Sequence, residues 1–143
     1  MLYSLILIGG INMISTKGRY AIRLMIDLAE HNTDTPVPLD AIATRQDISK
    51  KYLESIVKIL VTGKLVKGVS GKYGGYSLIR KPEDYSVLEI LELTEGSLAT
   101  VACLEAGAEE CPRADSCKTV SMWRGYDELF RDYFSRISIK DLL

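Results

Sequence analysis

The stretch SKKYLESIVKILVTGKLVKGVSGKYGGYSL, Ser49 to Leu78, changes its period halfway, and that change decides the fold. Its first part sets Leu53, Ile56, Val57, Leu60 and Val61 three and four residues apart, which is one face of a helix. Ser49 suits an N-cap, because its hydroxyl can accept from the free N–H groups of the first turn. Gly63 is expected as the C′ stop, running the helix to Thr62. Two short β-prone runs follow, Leu65 to Val69 and Tyr76 to Arg80. Between them lies Ser70-Gly-Lys-Tyr-Gly-Gly75, a glycine-rich hairpin tip.

Upstream, Thr16 to His31 carries Tyr20, Ile22, Leu24, Met25, Leu28 and Ala29 on a broad apolar face, a first helix ended by Asn32 and Pro36. Pro38 can open a second, short helix, Leu39 to Gln46, with Ile42 and Ala43 inward and Asp47-Ile48 as a tight connection to Ser49. Three helices and a hairpin in this order make a winged helix-turn-helix. Downstream, Ser86 and Glu89 form a capping box for a helix to Glu95, with Gly96 as its stop. From Thr119 to Arg136, Met122, Trp123, Tyr126, Leu129, Phe130, Tyr133 and Phe134 recur at helical steps, and Ile137 continues the series. That is too much aromatic surface for an isolated helix. Ser138 to Asp141 is a further cap, for a short terminal helix. The fold class is thus mainly α with a small β-hairpin wing, plus a long C-terminal helix.

With 143 residues, 47% apolar and 26% charged, the chain has the composition of one soluble globular domain. Its net charge of −1 hides a division. Residues 13–82 hold 12 Lys and Arg against 6 Asp and Glu, a balance of +6, whereas residues 83–143 hold 6 against 13, a balance of −7. The basic part presents Ser49, Lys50, Lys51, Tyr52 and Glu54 at the start of the third helix, where free N–H groups and the helix dipole also favour phosphate. Lys72 and Tyr73 stand at the hairpin tip, and Gly74 and Gly75 let that tip approach a DNA backbone. Alone, exposed lysines or a glycine turn mean little; together, in the basic half, they point to DNA.

Met1 to Asn12 (MLYSLILIGGIN) reads as an extension upstream of a start at Met13, a short added strand or helix being the alternative. Its apolar run is far shorter than the roughly 18 residues of a membrane span and lacks the basic flank of a signal peptide, so no membrane partner is expected.

The three cysteines, Cys103, Cys111 and Cys117, fall within 15 consecutive residues, spaced C-x7-C-x5-C. An odd, clustered set without a secretion signal argues for a reduced, cytoplasmic compartment. The loop is rich in small and turn-forming residues, so three thiolates could converge on one centre. Thiolates select iron–sulfur clusters, zinc or cuprous copper, and spacing alone does not choose. Zinc wants a fourth ligand, yet the only histidine, His31, is remote; a redox dithiol pair would leave one cysteine over. No nucleophile elbow, P-loop or histidine-based acid/base pair suggests an enzyme.

Three strings are recognisable: ISTKGRYAIR from Ile14, ISKKYLE from Ile48, and KLVKGVSGKYGGYSL from Lys64. In order and spacing they closely resemble the Rrf2 family of bacterial transcription regulators, over nearly all of residues 13–143. The resemblance implies that the third helix enters the major groove, with Tyr52 and Glu54 in the recognition motif and Glu54 matching a residue that accepts from a cytosine amino group. It implies a homodimer built on the long helix and reading a pseudo-palindromic operator in double-stranded DNA. It also implies an iron–sulfur cluster, two-iron or four-iron, on Cys103, Cys111 and Cys117.

The sequence departs from the family in three places. Ser70 stands where an Arg usually precedes the first wing glycine, with Lys72 or Arg80 as partial substitutes. Val120 stands where iron–sulfur-sensing members have a histidine ligand, and Arg19 where nitric-oxide-sensing members have an aspartate. The fourth ligand is therefore unassigned.

The expectation is a DNA-binding repressor sensing iron–sulfur, redox or nitric-oxide status: residues 13–82 bind DNA, and residues 83–143 hold the cysteine loop and dimerisation region. The alternatives are the same fold sensing by thiol oxidation or zinc, and an iron–sulfur carrier that does not bind DNA.

Overall fold

The structure, a computed structural model, describes residues 14–143; the expected extension over residues 1–12 lies outside the described residues. Helix α1 spans Thr16–Glu30 and starts where Ser15 Oγ accepts from Gly18 N at 3.2 Å. Helix α2, Leu39–Gln46, follows Pro38, and Asp47 (φ 53°) makes the turn into α3, Lys50–Thr62. Ser49 caps α3 by accepting from Tyr52 N at 3.2 Å. Strands β1 (Val66–Val69) and β2 (Gly75–Leu78) pair antiparallel, with Val66 opposite Leu78 and Val69 opposite Gly75. A third piece joins the wing, because Val37 and Tyr76 exchange two backbone hydrogen bonds of 2.8 and 2.9 Å. Helices α4 (Val87–Glu95) and α5 (Val120–Ser135) complete the chain.

The elements agree with the periodicity, and the differences have local causes. Gly63 is not a left-handed stop: its φ is −76°, and Lys64 (φ 60°) takes the left-handed position. Glycine lets α4 pack closely there, since a Cβ would meet the Leu93 side chain, which would have to shift. Strand β2 ends at Leu78 rather than Arg80, since the N–H groups of Ile79 and Arg80 turn to the Tyr85 hydroxyl. At α4, Ser86 Oγ accepts from Glu89 N at 3.1 Å, while the Glu89 carboxylate pairs with Arg80 at 2.7 Å.

One buried apolar cluster draws on α1 to α4, the wing and the segment after α5. It joins Leu24, Met25 and Leu28 of α1, Ile42 of α2, Leu53, Ile56 and Leu60 of α3, Leu65 before β1, Ile90 of α4, and Tyr85 and Ile139. Ile139 is fully buried, so the segment after α5 returns to the core of the helix-turn-helix. The end of α4 also holds the start of α1: the Glu95 carboxylate accepts from Ser15 N at 3.0 Å and Ser15 Oγ at 2.8 Å, placing negative charge at a helix N-terminus. Gly18 leaves the room for Glu95 to reach it.

Candidate nucleic-acid interface and cysteine loop

The first turn of α3 divides its residues between solvent and structure. Lys51 and Glu54 are exposed. Lys50 is exposed too, but its ammonium pairs with Asp40 of α2 at 3.0 Å; that hydrogen bond and charge hold it protonated above its ordinary range. Tyr52 packs edge-on against Tyr20 of α1, ring centroids 5.7 Å apart, and leans on the core. The expected row of contacts is therefore uneven. Lys51 and Glu54 are presented outward, Lys50 is shared with Asp40, and Tyr52 is partly a packing residue.

A buried network, not expected from the sequence, sets how this turn is held. Asp27 of α1 is fully buried and accepts from Arg45 Nε (3.0 Å), Arg45 Nη2 (2.6 Å) and Gln46 Nε2 (2.9 Å). Arg23 donates to the Gln46 side chain at 3.1 Å and to its backbone carbonyl. Burial pushes the Asp27 carboxyl up, but the hydrogen bonds of Arg45 and Gln46 and the charges of Arg45 and His31 outweigh it, so the group stays below the usual carboxylate range. Residues 45–46 immediately precede the turn Asp47-Ile48-Ser49, so α1 grips the chain where it bends into α3. An aspartate on an apolar helix face was the available signal; its partners, 18 and 19 residues away, were not legible.

At the wing, Tyr73 is 81% exposed with Lys72 5.4 Å from its ring centre, which places a cation and an aromatic at the tip. The two glycines have a reason within the chain itself. A Cβ on Gly74 would strike the carbonyl of Val69, and one on Gly75 the carbonyl of Val37, so both serve close approach within the chain. Gly71 (φ 107°) takes the left-handed conformation and faces open space. Arg80 does not substitute at the tip: it lies 4.4 Å over the Tyr85 ring, donates to Asp84 O at 3.0 Å and pairs with Glu89. Between α3 and the wing runs a cleft of about 840 Å³, whose walls include Lys50, Lys58 and Lys72.

The cysteines lie in the connection from α4 to α5, which contains short 3₁₀ turns at Ala102–Leu104 and Ala114–Ser116. Cys103, Cys111 and Cys117 are all free and exposed. Among the described residues, no three His, Cys, Asp or Glu side chains gather closely enough to hold a metal ion. The expected convergence of three thiolates is thus absent from this conformation, whose loop contains no buried side chain to close it. The donor chemistry nevertheless suits a soft metal centre. Cys117 stands just before α5, with its Sγ 3.5 Å from Thr119 Oγ1. That hydroxyl, the N–H groups of Thr119 and Val120, and the Arg113 charge draw its thiol below the ordinary cysteine range. Asp127 of α5 holds the start of the loop, accepting from Thr100 N at 2.9 Å and from the Thr100 hydroxyl.

Helix α5 separates its apolar residues into two stripes. Trp123, Phe130 and Phe134 are half-buried, as is Ile137 just beyond the helix, and α5 packs against α4. Met122, Tyr126, Leu129 and Tyr133 are 56, 55, 70 and 61% exposed. Their spacing of four, three and four residues is that of a coiled-coil seam.

Comparison with known proteins places this arrangement. A family model described as "Iron-dependent Transcriptional regulator", that of Rrf2, matches residues 14–143, the whole described chain. The chain belongs to the Rrf2 family. This Rrf2 protein is 35% identical over 130 residues to the HTH-type transcriptional regulator IscR of Photorhabdus laumondii, covering 91% of this chain and 78% of that one. It is 36% identical, with the same coverage, to IscR of Xenorhabdus nematophila. Among solved structures it is similar to CymR, the global cysteine regulator of B. subtilis (TM-score 0.72, 32% identity, 91% of this chain and 95% of that one). It is also similar to T. potens IscR (TM-score 0.71, 33% identity, 91% and 85%). The Rrf2 protein is thus a winged helix-turn-helix, DNA-binding transcription regulator rather than an enzyme.

Proposed function

We propose that this Rrf2 protein is a cytoplasmic, homodimeric repressor whose hold on a pseudo-palindromic operator depends on an iron–sulfur cluster carried by Cys103, Cys111 and Cys117. The observation that carries the reading is the junction of the cysteine loop with α5: three exposed thiols precede a helix whose apolar seam is uncovered. Two α5 seams packed about a two-fold axis would set the separation of the two α3 helices, and so the half-site spacing. Ser49, Lys50, Lys51, Tyr52 and Glu54 would face the major groove, and Lys72, Tyr73, Gly74 and Gly75 the flanking backbone or minor groove.

When bound, a cluster supplies a charge that changes with occupancy and oxidation state. The chain's own part is to draw the Cys117 thiol below its ordinary range, which eases loss of its proton to a metal, and to tie the loop to α5 through Thr100 and Asp127. A change in the loop then biases the placement of α5 and of the two DNA-binding halves.

Anaerobic purification with absorption spectra and iron, sulfide and zinc analysis tests this. Iron and acid-labile sulfide bound in the native chain and lost in Cys111→Ser, with the dimer intact, is the expected result; stoichiometric zinc without sulfide defeats the cluster reading. The exposure of Cys117 and the downward pull on its thiol pKa support one other reading, direct thiol oxidation in the same regulator. A metal-free protein whose DNA affinity changes on mild oxidation would establish it.

The outward residues of α3 give a separate expectation. Lys51→Ala weakens binding to all sequences alike and lowers the slope of log affinity against log salt by about one, whereas Glu54→Ala changes which duplexes are preferred. Titrations of the two variants against a set of duplexes at several salt concentrations check it. Equal weakening by both would refute a base-reading role for Glu54.

A further inference from the structure

The side chain of Tyr85 is fully buried, and its hydroxyl makes every hydrogen bond open to it. It donates to Leu65 O at 2.7 Å and accepts from Ile79 N at 2.9 Å and Arg80 N at 2.8 Å. All three partners are backbone groups at the base of the wing. Leu65 comes just before β1 and Ile79 just after β2, where the strand ladder has ended. A phenylalanine would fill the same space, so packing alone does not call for the hydroxyl; a buried hydroxyl is stable only because its partners are in place. The backbone of Tyr85 faces the other way. Its carbonyl accepts from Ile139 N at 3.0 Å, and Val87 N donates to Ile137 O at 2.8 Å, so residues 85–87 run beside the segment that leaves α5. Arg80 stacks on the ring from the wing side and reaches Glu89 on α4.

We propose that Tyr85 is a positioning residue, a clasp that fixes the angle of the wing against DNA and joins the base of the wing to the chain emerging from α5. This rests on the reading that the wing touches DNA. Tyr85 touches no DNA itself and acts through Lys72 and Tyr73 at the tip. With the hydroxyl removed, the backbone flanking the strands loses its three hydrogen bonds to Tyr85 and the tip loses its fixed position, while the buried core around the ring persists. The same clasp makes the wing sensitive to displacement of α5, because Ile139 and Leu65 are held by opposite ends of one residue.

Tyr85→Phe in the full chain, alone and combined with Lys72→Ala, tests this in two ways. Amide exchange is expected to quicken at least about tenfold at Ile79 and Arg80 while α1 keeps its protection. Binding to a fluorescent duplex of mixed sequence, titrated at several salt concentrations, is expected to weaken about tenfold. Its salt slope should fall by about one, and adding Lys72→Ala should produce little further loss. Faster exchange throughout α1 and the wing alike would reduce Tyr85 to a general stabiliser and overturn the proposal. Losses from Tyr85→Phe and Lys72→Ala that simply multiply would overturn it too, leaving the wing contact standing. A Lys72→Ala chain that binds as well as the native one refutes the wing contact instead, and the exchange rates then decide the clasp alone.

Discussion

Replacing Leu129 with glutamate is expected to turn the protein into a folded monomer. Leu129 is the most exposed residue of the Met122, Tyr126, Leu129, Tyr133 seam on α5, so within one chain its loss removes little packing. In a two-fold dimer, each seam meets the other and the substitution buries two carboxylates among apolar and aromatic groups. Leaving such a charge unpaired in an apolar contact costs about 3 kcal/mol or more, which corresponds to at least about a hundredfold weaker association. Sedimentation analysis should show monomers, while circular dichroism and the unfolding midpoint of the dilute chain stay near those of the native protein. Operator affinity should fall with the dimer, since a monomer reaches one half-site only. A dimer of native strength in Leu129→Glu would show that α5 is not the interface.

Asp27→Ala is expected to produce the largest loss of stability of any single polar substitution in the helix-turn-helix. The carboxylate is fully buried and takes three hydrogen bonds from Arg45 and Gln46. Without it the guanidinium of Arg45 and the amide of Gln46 lose their acceptor; removing one partner of a buried pair typically costs 3–5 kcal/mol. Arg45 is 34% exposed and water can recover part of its hydration, so about 3 kcal/mol is the expected size. Chemical denaturation of the native and variant chains measures it. A loss below about 1 kcal/mol would mean that the network forms without stabilising the fold.

The same residue sets a pH dependence. Its folded pKa lies below its unfolded one, so the unfolded state binds the proton more readily. The stabilisation is therefore fully present above about pH 4 and lost as the pH falls through the depressed folded value. Asp27→Asn should flatten the stability profile in that acid range and leave its shape near neutrality unchanged; unfolding curves taken from pH 7 downward would show it.

These two residues mark the boundary of what the chain reveals when read in order. The seam on α5 was visible as a list of apolar positions, because helical spacing is a local property, but which four of the eight face outward depended on where α4 packs. Asp27 was visible only as an odd charge on the apolar face of α1. Lys50 and Tyr52 illustrate the same limit within the recognition motif: their neighbours in sequence suggest free contacts, whereas Asp40 and Tyr20, from other helices, engage them. Gly63, Gly74 and Gly75 were legible as positions for glycine, but the intrachain contacts a Cβ would meet there were not. The backbone or side chain they make room for belongs to Leu93, Val69 or Val37.

By itself, the sequence determined the order and type of the elements, the winged helix-turn-helix, the family and the three thiols, because caps, periods and motif spacings act over a few residues. The tertiary structure alone decided three things. Arg45 and Gln46 close on Asp27, Tyr85 clasps both sides of the wing base, and the thiols of Cys103, Cys111 and Cys117 stand apart in an exposed loop. Each depends on groups brought together, or kept apart, by how the helices pack, and the shared core that does this packing takes in α1 to α4, the wing and Ile139 but not the cysteine loop.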